Sequence, residues 1–270
     1  MITTTPVKGS PAWLDLGVRD GRAAADFYRA VFDWRVRPFG PEEGAESMGE
    51  GFGLLERDGS LVGALGPLTE EGARSAWMLY FRVDDVAAAT AEVERLGGTV
   101  RLGPRRVEGA GRLSQCTDPQ GADFALWQPV EQTGFQVADV FGALCWTELY
   151  TTDSAAAKEF YGALFGWRTD DIPLPGGTGT YSLVTPEGEG EERMQGGIMQ
   201  MASEFLTQNR GRAYWHPVFA VADCDATVAR VTEGGGSIQM GPETAEGVGR
   251  MAVCVDPFGA DFVALTPENT

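Results

Sequence analysis

The sequence predicts an α+β protein made of two tandem copies of one domain, each copy built from two β-α-β-β-β modules around a curved mixed sheet. Three observations lead there. Trp13, Phe27, Tyr28 and Trp34 recur as Trp146, Phe160, Tyr161 and Trp167, a constant shift of 133 residues. Farther along, Val83, Asp85, Gly97, Gly98, Gly103 and Pro104 recur as Val221, Asp223, Gly235, Gly236, Gly241 and Pro242 at a shift of 138. Within each copy, short apolar segments alternate with amphipathic helical stretches that begin behind an aspartate. Each copy also closes on an Asp-Pro-x-Gly turn between two strand-like segments, Asp118 to Gly121 and Asp256 to Gly259. A repeat of this length signals duplicated supersecondary units, so it takes precedence over the assignment of single elements.

Taken in order, Trp13 to Val18 reads as a strand, and Arg22 to Phe32 as a helix with Ala24, Phe27, Tyr28 and Val31 on one face. Asp20 is the expected N-cap, as is Asp153 in the second copy, because a short carboxylate satisfies the first free backbone amides of a helix. Trp77 to Val83 reads as a strand and Val86 to Leu96 as a helix ended by Gly97 and Gly98, which suit the left-handed turn after a helix. Leu113 to Thr117 and Ala122 to Gln128 close the copy as strands. The shifts of 133 and 138 leave five extra residues in the second copy, expected in the loop around Pro186 to Met194. Pro129 to Gly142 is mixed in composition, so the expected connection is a packed linker, with domains at 1–135 and 136–270.

A chain of 270 residues exceeds what one hydrophobic core serves efficiently, and two domains is the natural division. With 39 acidic against 21 basic residues the net charge is −18, which repels phosphate backbones and anionic lipid, so no nucleic acid and no membrane partner is expected. Solubility explains the acidity as well as attraction of a cationic ligand does. No apolar run approaches the ~20 residues of a membrane helix, and residues 1–11 lack a signal-like apolar stretch, which points to a cytoplasmic location. Cys116, Cys145, Cys224 and Cys254 form no C-x-x-C pair and sit in apolar segments, as buried reduced thiols do.

The segments AADFYRAVFDW (24–34) and AAAKEFYGALFGW (155–167), with the closings GRLSQCTDPQGADFALWQP (111–129) and GRMAVCVDPFGADFVALTP (249–267), carry a resemblance. Together with the paired modules they resemble the vicinal-oxygen-chelate superfamily, closest to its actinobacterial branch with two fused copies. That superfamily includes glyoxalase I, extradiol dioxygenases, fosfomycin-resistance enzymes and bleomycin-binding resistance proteins. The resemblance specifies fold strongly and activity weakly, since the superfamily mixes catalysts and binders. It implies metal ligands on the first and last strand of each module. The first-strand positions here hold Trp13, Met78, Trp146 and His216, and the last-strand neighbourhoods hold Ala125 and Val263. A catalytic metal needs about three protein ligands, and one histidine among these positions does not supply them, so no metal and no other cofactor is expected.

The expected ligand-binding set is Trp13, Asp15, Met78, Tyr80, Trp127, Trp146, Glu148, Tyr181, Met199, Met201 and His216. Trp13 and Trp146 offer stacking surfaces or simply fill the cavity. Asp15 and Glu148 lie two residues beyond them and by strand alternation share their face, where they could accept a ligand's hydrogen bond, act as a base, or pair with Arg82. His216, in YWHPVFAV, is either a hydrogen-bonded core histidine or a cavity residue, and Met199 and Met201 would adapt to a flat apolar surface. Pro175 to Thr180 reads as a glycine-rich lid near Tyr181 rather than a phosphate loop, because the spacing of Gly176, Gly177 and Gly179 fits no nucleotide motif. The reading that follows is a metal-free small-molecule binder, an antibiotic self-resistance protein that sequesters a flat aromatic natural product, with a homodimer as a further option. The alternative is a glyoxalase-like lyase or isomerase, or a hydroxylase-like enzyme, using Glu148 and His216 as acid-base groups. A sensor with a degenerate site is a third class.

Overall fold

The computed structural model of the chain describes residues 1–38, 53–68, 73–131, 134–174 and 179–268. The first copy runs β1 (Pro11–Val18), α1 (Gly21–Phe32), β2 (Arg35–Pro38), β3 (Gly53–Arg57), β4 (Ser60–Pro67), β5 (Ala76–Arg82), α2 (Val86–Arg95), β6 (Thr99–Val107), β7 (Gly111–Thr117) and β8 (Asp123–Pro129). The second repeats it as β9 (Leu144–Thr151), α3 (Ser154–Phe165), β10 (Arg168–Pro173), β11 (Thr180–Thr185), β12 (Gly196–Gln200), β13 (Tyr214–Ala220), α4 (Cys224–Glu233), β14 (Ser237–Ala245), β15 (Gly249–Val255) and β16 (Asp261–Pro267). Each copy contributes one eight-stranded mixed sheet, in the orders β2-β3-β4-β1-β5-β8-β7-β6 and β10-β11-β12-β9-β13-β16-β15-β14. Every module is thus β-α-β-β-β, its first strand parallel to its last, as in β1 with β4 and β9 with β12. Among the described residues no helix is long and apolar enough to cross a membrane.

The helices begin where the aspartates require. Asp20 accepts the Ala23 amide at 2.9 Å and Asp153 the Ala156 amide at 3.0 Å, and Asp85 and Asp223 cap α2 and α4 in the same way. Beyond α2, Gly97 has φ +87°, the left-handed conformation that stops a helix without a Cβ penalty. The length difference between the copies is not one insertion near Pro186. Strand register matches Arg37, Leu54 and Ala64 to Asp170, Leu183 and Gly197, so the shift is still 133 at β12, and the five extra residues enter between β12 and β13.

By spatial proximity the chain divides into two compact units that cut across the copies: residues 1–13, 78–134 and 146–216 form one, and 14–77, 135–145 and 217–270 the other. Each unit therefore combines one module from each copy. In the first, the Asp-Pro turn folds around Asp118, whose Oδ1 accepts the amides of Gln120 (2.8 Å) and Ala122 (2.9 Å). Its Oδ2 accepts the hydroxyl of Tyr161 on α3 (3.0 Å), and that hydroxyl accepts the Trp215 indole N–H (2.8 Å). Burial pushes the Asp118 carboxyl up, and the turn amides and Tyr161 recover only part of that shift. Tyr161 also stacks on Trp167, ring centroids 5.2 Å apart.

In the second unit the same chemistry recurs with different residues. Asp256 holds its own turn through the amides of Phe258 and Ala260 and accepts the Tyr28 hydroxyl at 3.0 Å, while Trp77 donates to Tyr28 at 3.2 Å. Here the connection following β8 is a packed one. Phe135 is buried, the Gln136 amide donates to the Leu61 carbonyl and the Leu61 amide to Gln136 Oε1, both at 3.0 Å.

Tyr161→Phe should lower stability by about 1–3 kcal/mol, because it leaves the buried Trp215 N–H without its acceptor. Urea unfolding measures this, and a loss within error of zero would show that the Tyr–Asp pair is dispensable.

Candidate functional site

Strand β9 alternates Trp146, Glu148 and Tyr150 along one face, and β13 brings Tyr214 and His216 to the same place by the same alternation. Glu148, 6% exposed, is the centre. Its Oε1 accepts the Tyr181 hydroxyl at 2.7 Å, and its Oε2 accepts the Tyr150 hydroxyl at 3.2 Å and lies 3.1 Å from Nε2 of the fully buried His216. The Trp146 indole N–H donates to the Tyr181 oxygen at 2.9 Å, so four aromatic groups converge on one carboxylate. Tyr150 sits edge-on to His216 with centroids 4.5 Å apart.

Burial alone would push the Glu148 carboxyl up. His216, Tyr181 and Tyr150 outweigh it and hold the group below the ordinary glutamate value. The two tyrosines move the other way: burial first, then the negative charge of Glu148, raises both phenols well above the usual value. The carboxylate is therefore the charged member and the phenols are proton donors to it.

Tyr181 reaches Glu148 across a glycine. A Cβ on Gly197, which pairs with Glu148 in the β12–β9 register, would sit 1.9 Å from Tyr181 Cζ. The absent side chain is thus the space the phenol ring occupies. Met199 and Met201 pack against a small cluster of Tyr150, Leu206 and Tyr214 beside this network. Leu206 comes from the segment 201–213, which contains two 3-10 turns, Ser203–Phe205 and Thr207–Asn209.

On the corresponding face of the first copy an apolar cluster forms. Tyr80, Trp127, Ala12, Ala110 and Ala125 form its buried cluster, with Trp13, Met78, Val107 and Leu113 packed on it. Of the residues expected here from sequence, Trp13, Met78, Tyr80 and Trp127 come together. Asp15 stands half-buried on β1 opposite Ala64, and Arg82 pairs with Asp84 at 2.9 Å. In the second copy Trp146, Glu148, Tyr181 and His216 form one bonded network, with Met199 and Met201 at its flank. Tyr150, Tyr214 and Leu206 were not expected. Continuing the alternation from Trp146 and Glu148 by one step, and back from His216 by one, would have found both tyrosines. Of the glycine-rich stretch read as a lid, residues 175–178 lie outside the described residues.

The donor set does not fit a resident metal. Glu148 and His216 supply two ligands, Glu148 already bonds three neighbouring donors, and Ala125 and Val263, both fully buried, bring only carbon. Among the described residues no group of three His, Cys, Asp or Glu could hold an ion. The four thiols are buried and form no disulfide, and burial pushes Cys116 and Cys224 to about 11 and Cys254 to about 12, so none of these three is a ready thiolate.

Paired β-α-β-β-β modules with a cluster of polar or aromatic side chains at the first strands define a class of small-molecule-handling folds. The chain belongs to the Glyoxalase/Bleomycin resistance protein/Dioxygenase superfamily, whose model matches residues 10–126 and 143–263. It is 36% identical over 268 residues to the anthracycline biosynthesis protein DnrV of Streptomyces peucetius, covering 94% of this chain and 92% of that one. It is 35% identical over 269 residues to the anthracycline biosynthesis protein DauV of Streptomyces sp. strain C5, with the same coverage. Among solved structures, 2,2',3-trihydroxybiphenyl 1,2-dioxygenase of Sphingomonas wittichii superposes with a TM-score of 0.64 at 16% identity, covering 96% of this chain and 91% of that chain.

Two outcomes follow. A carboxyl held below its unfolded value contributes stability that is present above the ordinary glutamate range and is lost as pH falls through the folded value. The stability difference between wild type and Glu148→Gln, from urea unfolding at stepped pH, should stay level from neutrality down to about pH 5 and shrink below it. A difference that grows on acidification would reverse the assignment. Gly197→Ala should displace Tyr181, uncovering Trp146 and raising its fluorescence accessibility to acrylamide. An unchanged quenching constant would mean that Tyr181 does not depend on that glycine.

Proposed function

We propose that this protein binds a flat aromatic natural product without a metal and protects its producer by holding it, a self-resistance function. The observation that carries the reading is the aromatic and thioether surface of Trp13, Met78, Tyr80 and Trp127, in which Trp13 and Met78 stand at positions where the superfamily's chemistry would call for ligands. Such a surface gains affinity from area and stacking, roughly 0.5–1.5 kcal/mol per aromatic pair beyond burial. The two anthracycline biosynthesis relatives support a polycyclic aromatic ligand. The sealed network of the second copy fits a structural role, because every oxygen of Glu148 already has a donor.

One observation favours catalysis instead: the 3.1 Å contact between Glu148 and His216, a carboxylate–imidazole pair of the kind that moves protons. A lyase, isomerase or hydroxylase-like enzyme would use it as its acid-base pair.

Trp13→Ala should weaken binding of an anthracycline, followed by calorimetry, about tenfold to a hundredfold, the ~1–3 kcal/mol of a lost aromatic contact. The ligand recovered after denaturing the complex should keep its original mass. A transformed product whose formation stops in Glu148→Gln while binding persists would move the protein from sequestration to catalysis.

A further inference from the structure

The first copy's apolar cluster contains one polar atom that the fold leaves unmet. Trp127, on β8, is 6% exposed, and its indole Nε1 is buried with no hydrogen-bond acceptor in reach. Nine in ten or more buried polar groups are satisfied, and an unmet N–H costs free energy that a phenylalanine in the same place would avoid. Five other indoles make the contrast plain. Trp34 and Trp167 donate to carbonyls, Trp77 and Trp215 to tyrosines, and Trp146 to Tyr181.

Three features around Trp127 bear on what would complete it. The ring is edge-on to Tyr80, centroids 6.4 Å apart, and lies in the cluster with Trp13 and Met78. Gly111 brings β7 against the ring edge next to the nitrogen, and a Cβ there would fall 2.8 Å from Trp127 Cζ2. A cavity of about 230 Å³, lined by Arg106, Val107, Ala110, Gly111, Arg112, Val130 and Glu131, meets the cluster at Val107 and Ala110 and reaches the Trp127 ring edge only through Gly111. The second copy offers no counterpart, since Leu265 stands at the matching position.

We infer that the Trp127 N–H is a recognition group: it donates to an oxygen acceptor on the ring system of the bound molecule, so the ligand class is a planar aromatic ketone or quinone. This rests on the proposal that the chain binds a flat aromatic compound and adds the functional group that is read and the copy that reads it. An indole N–H is donor-only, and it therefore selects a carbonyl or phenolic oxygen over a bare hydrocarbon ring or an ammonium group. The first copy then holds the ligand, while the second keeps its donors for Glu148.

The test uses two soluble probes of equal charge and nearly equal shape, 9,10-anthraquinone-2-sulfonate and anthracene-2-sulfonate, titrated by calorimetry against the full chain. Wild type should bind the quinone about fivefold to tenfold more tightly. Trp127→Phe, which keeps the ring and removes the N–H, should bring the two affinities together while leaving the anthracene affinity within about twofold. In the ¹H–¹⁵N spectrum, the indole proton absent from Trp127→Phe should move downfield with the quinone, as a new hydrogen bond requires, and not downfield with the anthracene, a readout that needs no variant to bind. Equal wild-type affinities, or a preference that survives in Trp127→Phe, overturn this inference alone. Failure of wild type to bind either probe or an anthracycline overturns the binding proposal and this inference with it.

Discussion

A buried tyrosine hydroxyl bonded to the aspartate of an Asp-Pro turn is the contact on which the architecture turns. Asp118 and Asp256 each spend one carboxylate oxygen on two amides of their own turn and the other on a tyrosine of the opposite copy. The turn cannot be formed well without the carboxylate, and the carboxylate cannot be buried cheaply without its full set of donors. The tyrosine in turn accepts an indole N–H from a third strand, β5 for Tyr28 and β13 for Tyr161. One hydrogen-bonded chain thereby fixes a turn, a helix and a strand, and the aromatic packing around it follows from where those three elements meet.

These contacts explain which parts of the fold could be read in the sequence. Asp20, Asp85, Asp153 and Asp223 act within three residues of themselves, so helix starts were legible from local chemistry. The repeat exposed the two sheets because strands and turns recur in register. Exchange of modules between copies was not legible, because the partners are 43 and 228 residues apart and nothing local distinguishes a tyrosine that bonds its own copy from one that bonds the other. The position of the five extra residues misled for a related reason: only strand register places them after β12 rather than before it.

At the site, alternation along β9 and β13 placed Glu148 and His216 on one side of the sheet, and the structure joins them at 3.1 Å. What sequence could not provide was the degree of closure. Whether a carboxylate on a concave strand faces a ligand or is consumed by its neighbours depends on Tyr181, which arrives from β11 over Gly197, a register relation spanning three strands. The two copies, alike in backbone, have thus taken opposite courses: one strand face gathered aromatic carbon, the other gathered donors around a charge.

The module exchange also limits how such a duplicated gene can change afterwards. Each copy now supplies the tyrosine that the other's buried aspartate requires, so neither can be deleted, replaced by a foreign homologue or returned to a free-standing domain without stranding a tyrosine or an aspartate in an apolar core. The helix-and-turn layer is bound to evolve as a single piece. The bonds of Glu148 to Tyr150, Tyr181 and His216 all lie within the second copy and are no part of that exchange. Selection can therefore rework one pocket while the other stands still, and the duplication works as a means of freeing a surface without loosening the scaffold beneath it.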